Sequence, residues 1–277
     1  GIENLYDGTY NLGSGHNDFV TIGAGYTGQF WFDAGAGNDT VTGGNGNDRL
    51  IGGSGDDQLN GLGGTNVLTG GIGNDTYIVA NTTTTLVELA GEGTDTVRAS
   101  ISWTLADNFE NLTLTSGNQI VATGNELNNV LTGVTGNNYF HGLGGDDIIN
   151  AGGGSDTIYG GDGNDVINTG EGLLNLAYGG YGDDIITGGS QEDTLIGSQG
   201  DDQIFGGGGD DNLSGSEGND ILDGGAGIAG SRLHEEFLQL RAGDDFLVEL
   251  DVQGTAASKR EAAGFLEDVA EVVIHHL

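Results

Sequence analysis

Apolar side chains recur every nine residues along two stretches of this chain. From Ala34 the sequence reads AGAGNDTVT, GGNGNDRLI, GGSGDDQLN, GLGGTNVLT and GGIGNDTYI, and the eighth positions are Val41, Leu50, Leu59, Leu68 and Tyr77. A second stretch, from Gly124 to about Gly230, places Leu131, Phe140, Ile149, Ile158, Ile167, Leu176, Ile186, Leu195, Ile204, Leu213 and Leu222 there. One apolar residue between polar neighbours, bounded by glycine-rich turns, predicts a short strand with one inward side chain per unit. No such strand can bury its apolar face alone, so the units must stack. Two units make a coil of 18 residues. The expected fold is all-β: a parallel solenoid whose strands form two thin sheets around a narrow aliphatic core.

The sixth position carries the chemistry. It reads Asp39, Asp48, Asp57, Asn66 and Asp75 in the first array. In the second it reads Asn129, Asn138, Asp147, Asp156, Asp165, Leu174, Asp184, Asp193, Asp202, Asp211 and Asp220. The step from Asp165 to Asp184 is 19 residues, so one residue is inserted near the degenerate unit TGEGLLNLAY. Ca²⁺ takes six to eight hard oxygen ligands in a tolerant geometry. A glycine-rich turn can aim several carbonyls at one centre, and each turn adds one Asp carboxylate. Aspartates one coil apart share an edge, which pairs Asp39/Asp57, Asp57/Asp75, Asp147/Asp165, Asp184/Asp202, Asp193/Asp211 and Asp202/Asp220. Asp165/Asp184 makes a further pair if the insertion bulges elsewhere. Asp48/Asn66, Asn129/Asp147 and Asn138/Asp156 are weaker, because an amide replaces a carboxylate. Leu174 opposite Asp156 predicts a lost site. The expected load is about seven to nine calcium ions.

The units GGxGxDxUx resemble the RTX (repeats-in-toxin) calcium-binding nonapeptides. The resemblance covers roughly 34–78 and 124–227, and it implies a right-handed parallel β-roll that folds only with calcium. Residues 1–33 read as degenerate capping repeats, with Phe30, Trp31 and Phe32 expected to plug the open end of the core. Residues 79–123 read as a metal-poor β segment carrying the solenoid between the arrays; Glu92 and Asp95 could bind an ion there, but no partner spacing supports them and the loop reading is preferred. Residues 231–277 resemble the C-terminal target region of type I secreted proteins and would also cap the last coil.

Charge sharpens this picture. Of 277 residues 58 are Gly, none is Pro, Cys or Met, and the formal net charge is −36. By composition alone such a chain is disordered. Its carboxylates are periodic, however, so order depends on what neutralises them. The absence of Cys excludes disulfides and thiolate metal sites. The acidity argues against nucleic acid and anionic membranes as partners, and no apolar run is long enough to span a membrane. The chain opens at Gly1 without a Met, which suggests a fragment or a processed product.

Catalytic chemistry is missing from the sequence. The histidines are His16, His141, His234, His275 and His276, and HEEFL at 234 lacks the second His of a zinc helix. There is no GxSxG elbow and no P-loop lysine. No catalytic residue is assigned, so any catalysis belongs to another part of the parent protein. The third loop positions, Ala36, Asn45, Ser54, Ile72, Asp162, Tyr181, Gln199 and Glu217, form no threonine ladder of the ice-binding kind. The resemblance implies a calcium-triggered folding and export module of a secreted bacterial protein. Its partner in transit would be a Gram-negative type I secretion apparatus, and its destination the medium or the cell surface. Two alternatives stand beside it: an extracellular adhesin or carbohydrate-binding module contacting polysaccharide or a cell surface, and the C-terminal part of a secreted protease, lipase, polysaccharide-modifying enzyme or toxin.

Overall fold

The computed structural model describes residues 9–117 and 119–226. The region 231–277, expected to form a cap or secretion target, lies outside the described residues. Among the described residues all regular structure is β-strand. A sheet of 12 strands runs without a break from Phe19–Thr21 to Ile221–Asp223, and neighbouring strands in it pair in parallel. Facing it are a 5-stranded sheet, from Thr9–Gly15 to Thr85–Val87, and a 7-stranded sheet, from Trp103–Thr104 to Asn212–Glu217. The fold is therefore the expected parallel β-roll, with one face split in two. The split falls where the coil loses its period. Asp75 and Asp95 are linked 20 residues apart, and Asp95 and Glu110 only 15 apart, instead of 18. The strand Thr85–Val87 and the two-residue strand Trp103–Thr104 consequently belong to different sheets.

The core is a set of stacked ladders. Val41, Leu59, Tyr77, Val97, Leu112 and Leu131 follow one another in register along the 12-stranded sheet, all fully buried. Phe32, Leu50 and Leu68 face them from the 5-stranded sheet. Alternation along each short strand sends one side chain inward and its neighbours outward.

Two sequence expectations need correction. The inserted residue lies upstream of Asn175, so Leu174 and Leu176 do not hold the sixth and eighth positions expected of them. Ile158 pairs with Ala177, and Ala177 with Leu195. Ala177 is the fully buried side chain, while Leu176 is only partly covered and Leu174 is exposed. Asn175 thus takes the sixth position that Leu174 was expected to hold. The second correction concerns Trp31. Phe30 and Phe32 are buried and stacked, 5.7 Å between ring centroids. Trp31, on the opposite face of the same strand, is exposed beneath the Arg49 guanidinium, 5.7 Å away. The strand Trp31–Ala36 lies between Thr9–Gly15 and Arg49–Ser54, so these aromatics fill an inner coil and not an open end.

Glycine is required where the turn enters the left-handed region. Gly161 and Gly163 both have φ +133°, and a Cβ at Gly161 would run into the Leu143 carbonyl of the coil before. At the position equivalent to Gly161, Leu143 (φ 84°), Ser198 (φ 96°) and Ser216 (φ 85°) adopt the same strained conformation with a side chain attached.

Candidate metal centre

Each sixth-position residue sits at the turn that leads into a strand, and nearly all are buried despite their charge. Their first carboxylate oxygen joins coils. In the turns leading into the 12-stranded sheet, the N–H groups of Asp39, Asp57 and Asp75 donate to Oδ1 of Asp57, Asp75 and Asp95 at 2.7, 2.7 and 2.8 Å. Farther along, Asn129, Asp147, Asp165, Asp184 and Asp202 donate to Oδ1 of Asp147, Asp165, Asp184, Asp202 and Asp220 at 2.7–3.0 Å. In the turns facing them, Asp48 donates to Asn66, Asn138 to Asp156, Asp156 to Asn175, Asn175 to Asp193 and Asp193 to Asp211, all at 2.7–2.9 Å. An aspartate here is first of all an acceptor for the coil before it.

The second oxygen is left over. Oδ2 of Asp39, Asp57, Asp75, Asp147, Asp156, Asp165, Asp184, Asp202 and Asp211 is buried with no hydrogen-bond partner. A buried, unpartnered carboxylate oxygen is strongly unfavourable unless a cation or a proton meets it. The space it faces is kept open by the first glycine of its loop. A Cβ at Gly142, Gly160, Gly179 or Gly197 would collide with Oδ2 of Asp147, Asp165, Asp184 or Asp202. Orphaned hard oxygens in a cradle that only glycine leaves free fit Ca²⁺.

Electrostatics point the same way. Burial pushes the carboxyl groups of Asp57, Asp156, Asp165, Asp202 and Asp211 up to about 6. It pushes those of Asp75, Asp147 and Asp184 up to about 7. The N–H donated by the preceding coil pulls each of them partly back. Neighbouring carboxylates add to the rise, Asp165 and Asp202 at Asp184 for example.

Asn66, Asn138 and Asn129 close their turns differently, whereas the Nδ2 of Asn175 is buried without a partner. The Nδ2 of Asn66 donates to the Gly63 carbonyl at 3.0 Å, and that of Asn138 to the Gly136 carbonyl at 2.8 Å. Asn129 Nδ2 reaches the carbonyls of Phe109 and Glu110 at 3.1 and 3.2 Å. These amides satisfy carbonyls that a carboxylate would leave to a cation. Asp48 and Asp193 form a third class, since Oδ2 of each accepts a turn N–H, from Gly44 and Gly189, at 2.8 Å.

Two features extend the site beyond the nonapeptide aspartates. Asp95 continues the buried row, and its own N–H donates to Glu110 Oε2 at 2.7 Å. Glu92 behaves as the loop residue expected, accepting the Leu89 N–H of its own turn at 3.0 Å. The exposed fifth positions also form a row, running the other way. Asp56 donates its N–H to Asn38, Asn74 to Asp56, and Asp201 to Asp183, at 2.8–3.1 Å. The Asn or Asp recurring just before the sixth position was the available signal.

A family model described as the RTX calcium-binding nonapeptide repeat (4 copies) matches residues 31–59, 42–77, 123–158, 141–172, 178–213 and 196–228, more than half of the chain. The chain is also similar to an endo-1,3-1,4-beta-glycanase, ExsH, of Rhizobium meliloti (strain 1021), at 44% identity over 64 residues. That stretch is 23% of this chain and spans 14% of the glycanase. Among the described residues no helix is long and apolar enough to cross a membrane.

Proposed function

We propose, from the premise that this chain belongs to the RTX calcium-binding nonapeptide repeat family, that it is a calcium-dependent folding and export module of a secreted protein. The observation that carries this reading is the set of nine buried aspartate Oδ2 atoms without partners among the described residues. Together with turn carbonyls they would hold Ca²⁺, which supplies the positive charge that the folded turns lack. Without it the chain must bury ionised carboxylates that repel along each row, and its narrow core cannot offset the conformational entropy of so much glycine.

In this reading the aspartates of the 34–78 and 124–230 arrays are the ligands, namely Asp39, Asp48, Asp57, Asp75, Asp147, Asp156, Asp165, Asp184, Asp193, Asp202, Asp211 and Asp220. Asn66, Asn129 and Asn138 mark weak turns, and the total is about seven to nine ions. The residues are scaffold and not catalytic machinery. Scarce calcium inside a bacterium keeps the chain extended for a type I apparatus, and abundant calcium outside folds it. Circular dichroism with a calcium titration tests this. The β signal should grow cooperatively with calcium and vanish in excess chelator, and a full β signal in chelator would sink the proposal.

A second reading follows from the similarity to a glycanase. The parent protein would act at a polysaccharide, with the roll as its extracellular carbohydrate-binding or adhesive part. Binding to a glycan array with calcium present would support it, and a blank array would leave the folding role alone.

A further inference from the structure

Glu88 belongs to no nonapeptide, yet it is buried beside the last aspartate of the first array. Carboxylate oxygens of Asp75, Glu88 and Asp95 all lie within 4.8 Å of one another, and all three residues are buried. The Tyr77 hydroxyl donates to Glu88 Oε1 and in turn accepts the Gly70 N–H at 2.5 Å. This fixes one oxygen of Glu88 and leaves Oε2 buried without a partner, as is Oδ2 of Asp75. Gly70 keeps the space open, since a Cβ there would collide with Asp75 Oδ2, Glu88 Oε1 and the Tyr77 hydroxyl. The other charges acting on these groups, Asp57, Glu92 and Glu110, are acids as well.

Three carboxylates this close cannot all stay ionised in a buried site unless a cation joins them. Every donor is a hard oxygen, which selects a calcium-like ion over softer metals. We propose that Asp75, Glu88 and Asp95 form a calcium site of their own, distinct from the nonapeptide turns in drawing a glutamate from outside the repeats. Glu88 directly follows Thr85–Val87, the last strand of the 5-stranded sheet, while Asp75 and Asp95 lead into the continuous sheet. The ion would pin the end of one sheet to the other at the point where the solenoid loses its period. The site shares Asp75 with the row and otherwise goes beyond the row reading.

Glu88→Gln is the test, because it keeps the acceptor for Tyr77 and removes the charge. Calcium counted by equilibrium dialysis should fall by one ion relative to the unchanged chain. Crystals of the unchanged chain grown in calcium should show an anomalous peak among the three carboxylates, about 2.3–2.6 Å from their oxygens. That peak does not depend on any variant folding. An unchanged ion count in Glu88→Gln, or no peak in the crystal, overturns the site. Loss of one ion in Glu88→Gln, with an unshifted calcium titration in Asp184→Asn, supports this site and counts against the row reading.

Discussion

The backbone N–H of Asp165 donates to Oδ1 of Asp184 at 2.7 Å across 19 residues, where its neighbours in the row span 18. The row therefore passes the inserted residue intact. Asp184 then stands between two acids, Asp165 and Asp202, with Oδ2 unpartnered and its carboxyl pushed up to about 7.

Asp184→Asn keeps the Oδ1 that accepts the Asp165 N–H and removes the charge. The expected loss is about 2 kcal/mol of calcium-linked stability, the scale of one charged interaction, or roughly 30-fold in the calcium needed at that site. A calcium titration followed by circular dichroism should shift upward accordingly, while stability without calcium stays the same or improves. An unshifted titration would remove Asp184 from the ligands.

Asn138→Asp runs the same logic backwards. The Asn138 amide now donates to the Gly136 carbonyl at 2.8 Å. A carboxylate there would face that carbonyl with no hydrogen to offer. The variant should bind one ion more than the unchanged chain and depend more steeply on calcium. Equilibrium dialysis reads the count directly, and an equal count would show that the amide is not what closes this turn.

The pH dependence without calcium has an unusual sign. The folded carboxyls of Asp57 and Asp184 sit at about 6 and about 7, above their ordinary value of 3.8. The folded chain thus binds protons that the unfolded chain releases. Their favourable contribution is complete below the ordinary carboxylate range and is lost as pH rises through about 6 to 7. In metal-free buffer the β signal should be larger at about pH 4.5 than at about pH 7.5. With calcium present the trend inverts for affinity, because protons compete with the ion, and the calcium midpoint should rise on acidification. A metal-free β signal that grew toward neutral pH would contradict the buried rows.

Leu143→Gly should stabilise the calcium-loaded roll. Leu143 holds φ 84° at a turn position where Gly161 holds φ 133°, and its side chain is exposed, so little burial is lost. Relief of a left-handed leucine is worth about 1 kcal/mol, which glycine's entropy in the unfolded chain partly offsets. Thermal unfolding in saturating calcium should move up by a few degrees. A drop would mean that Leu143 packs more usefully than its exposure suggests.

Much of this was legible in the sequence because it is periodic. The ninefold spacing of Val41, Leu50 and Leu59 places them in the core, and that of Asp39, Asp48 and Asp57 places them in the turns. Legibility fails where the period does. In the stretch LLNLA the apolar residues fit two frames. The polar slot decides between them, since Asn175 can occupy it and Leu174 cannot, which leaves Ala177 for the core. Asp95 reaches the row through a coil of 20 residues and passes it to Glu110 after 15, and Glu88 stands outside the repeat altogether, so no fixed spacing announces either. Trp31 was misplaced for another reason. Three adjacent aromatics suggest a plug, but the pleat turns the middle one outward.

The turn holding the extra residue also says how this molecule keeps count. In an ordinary strand one added residue would throw every later side chain onto the wrong face. Here the slip is discharged before Asn175, and the paired strands beyond it resume in phase, Thr157 with Leu176 and Leu176 with Thr194. The chain is indexed by its edges and not by its length. Exposed Leu173 and Leu174 mark a spot where a longer insertion, even a foreign peptide, could be carried on the outside without disturbing the ladder within.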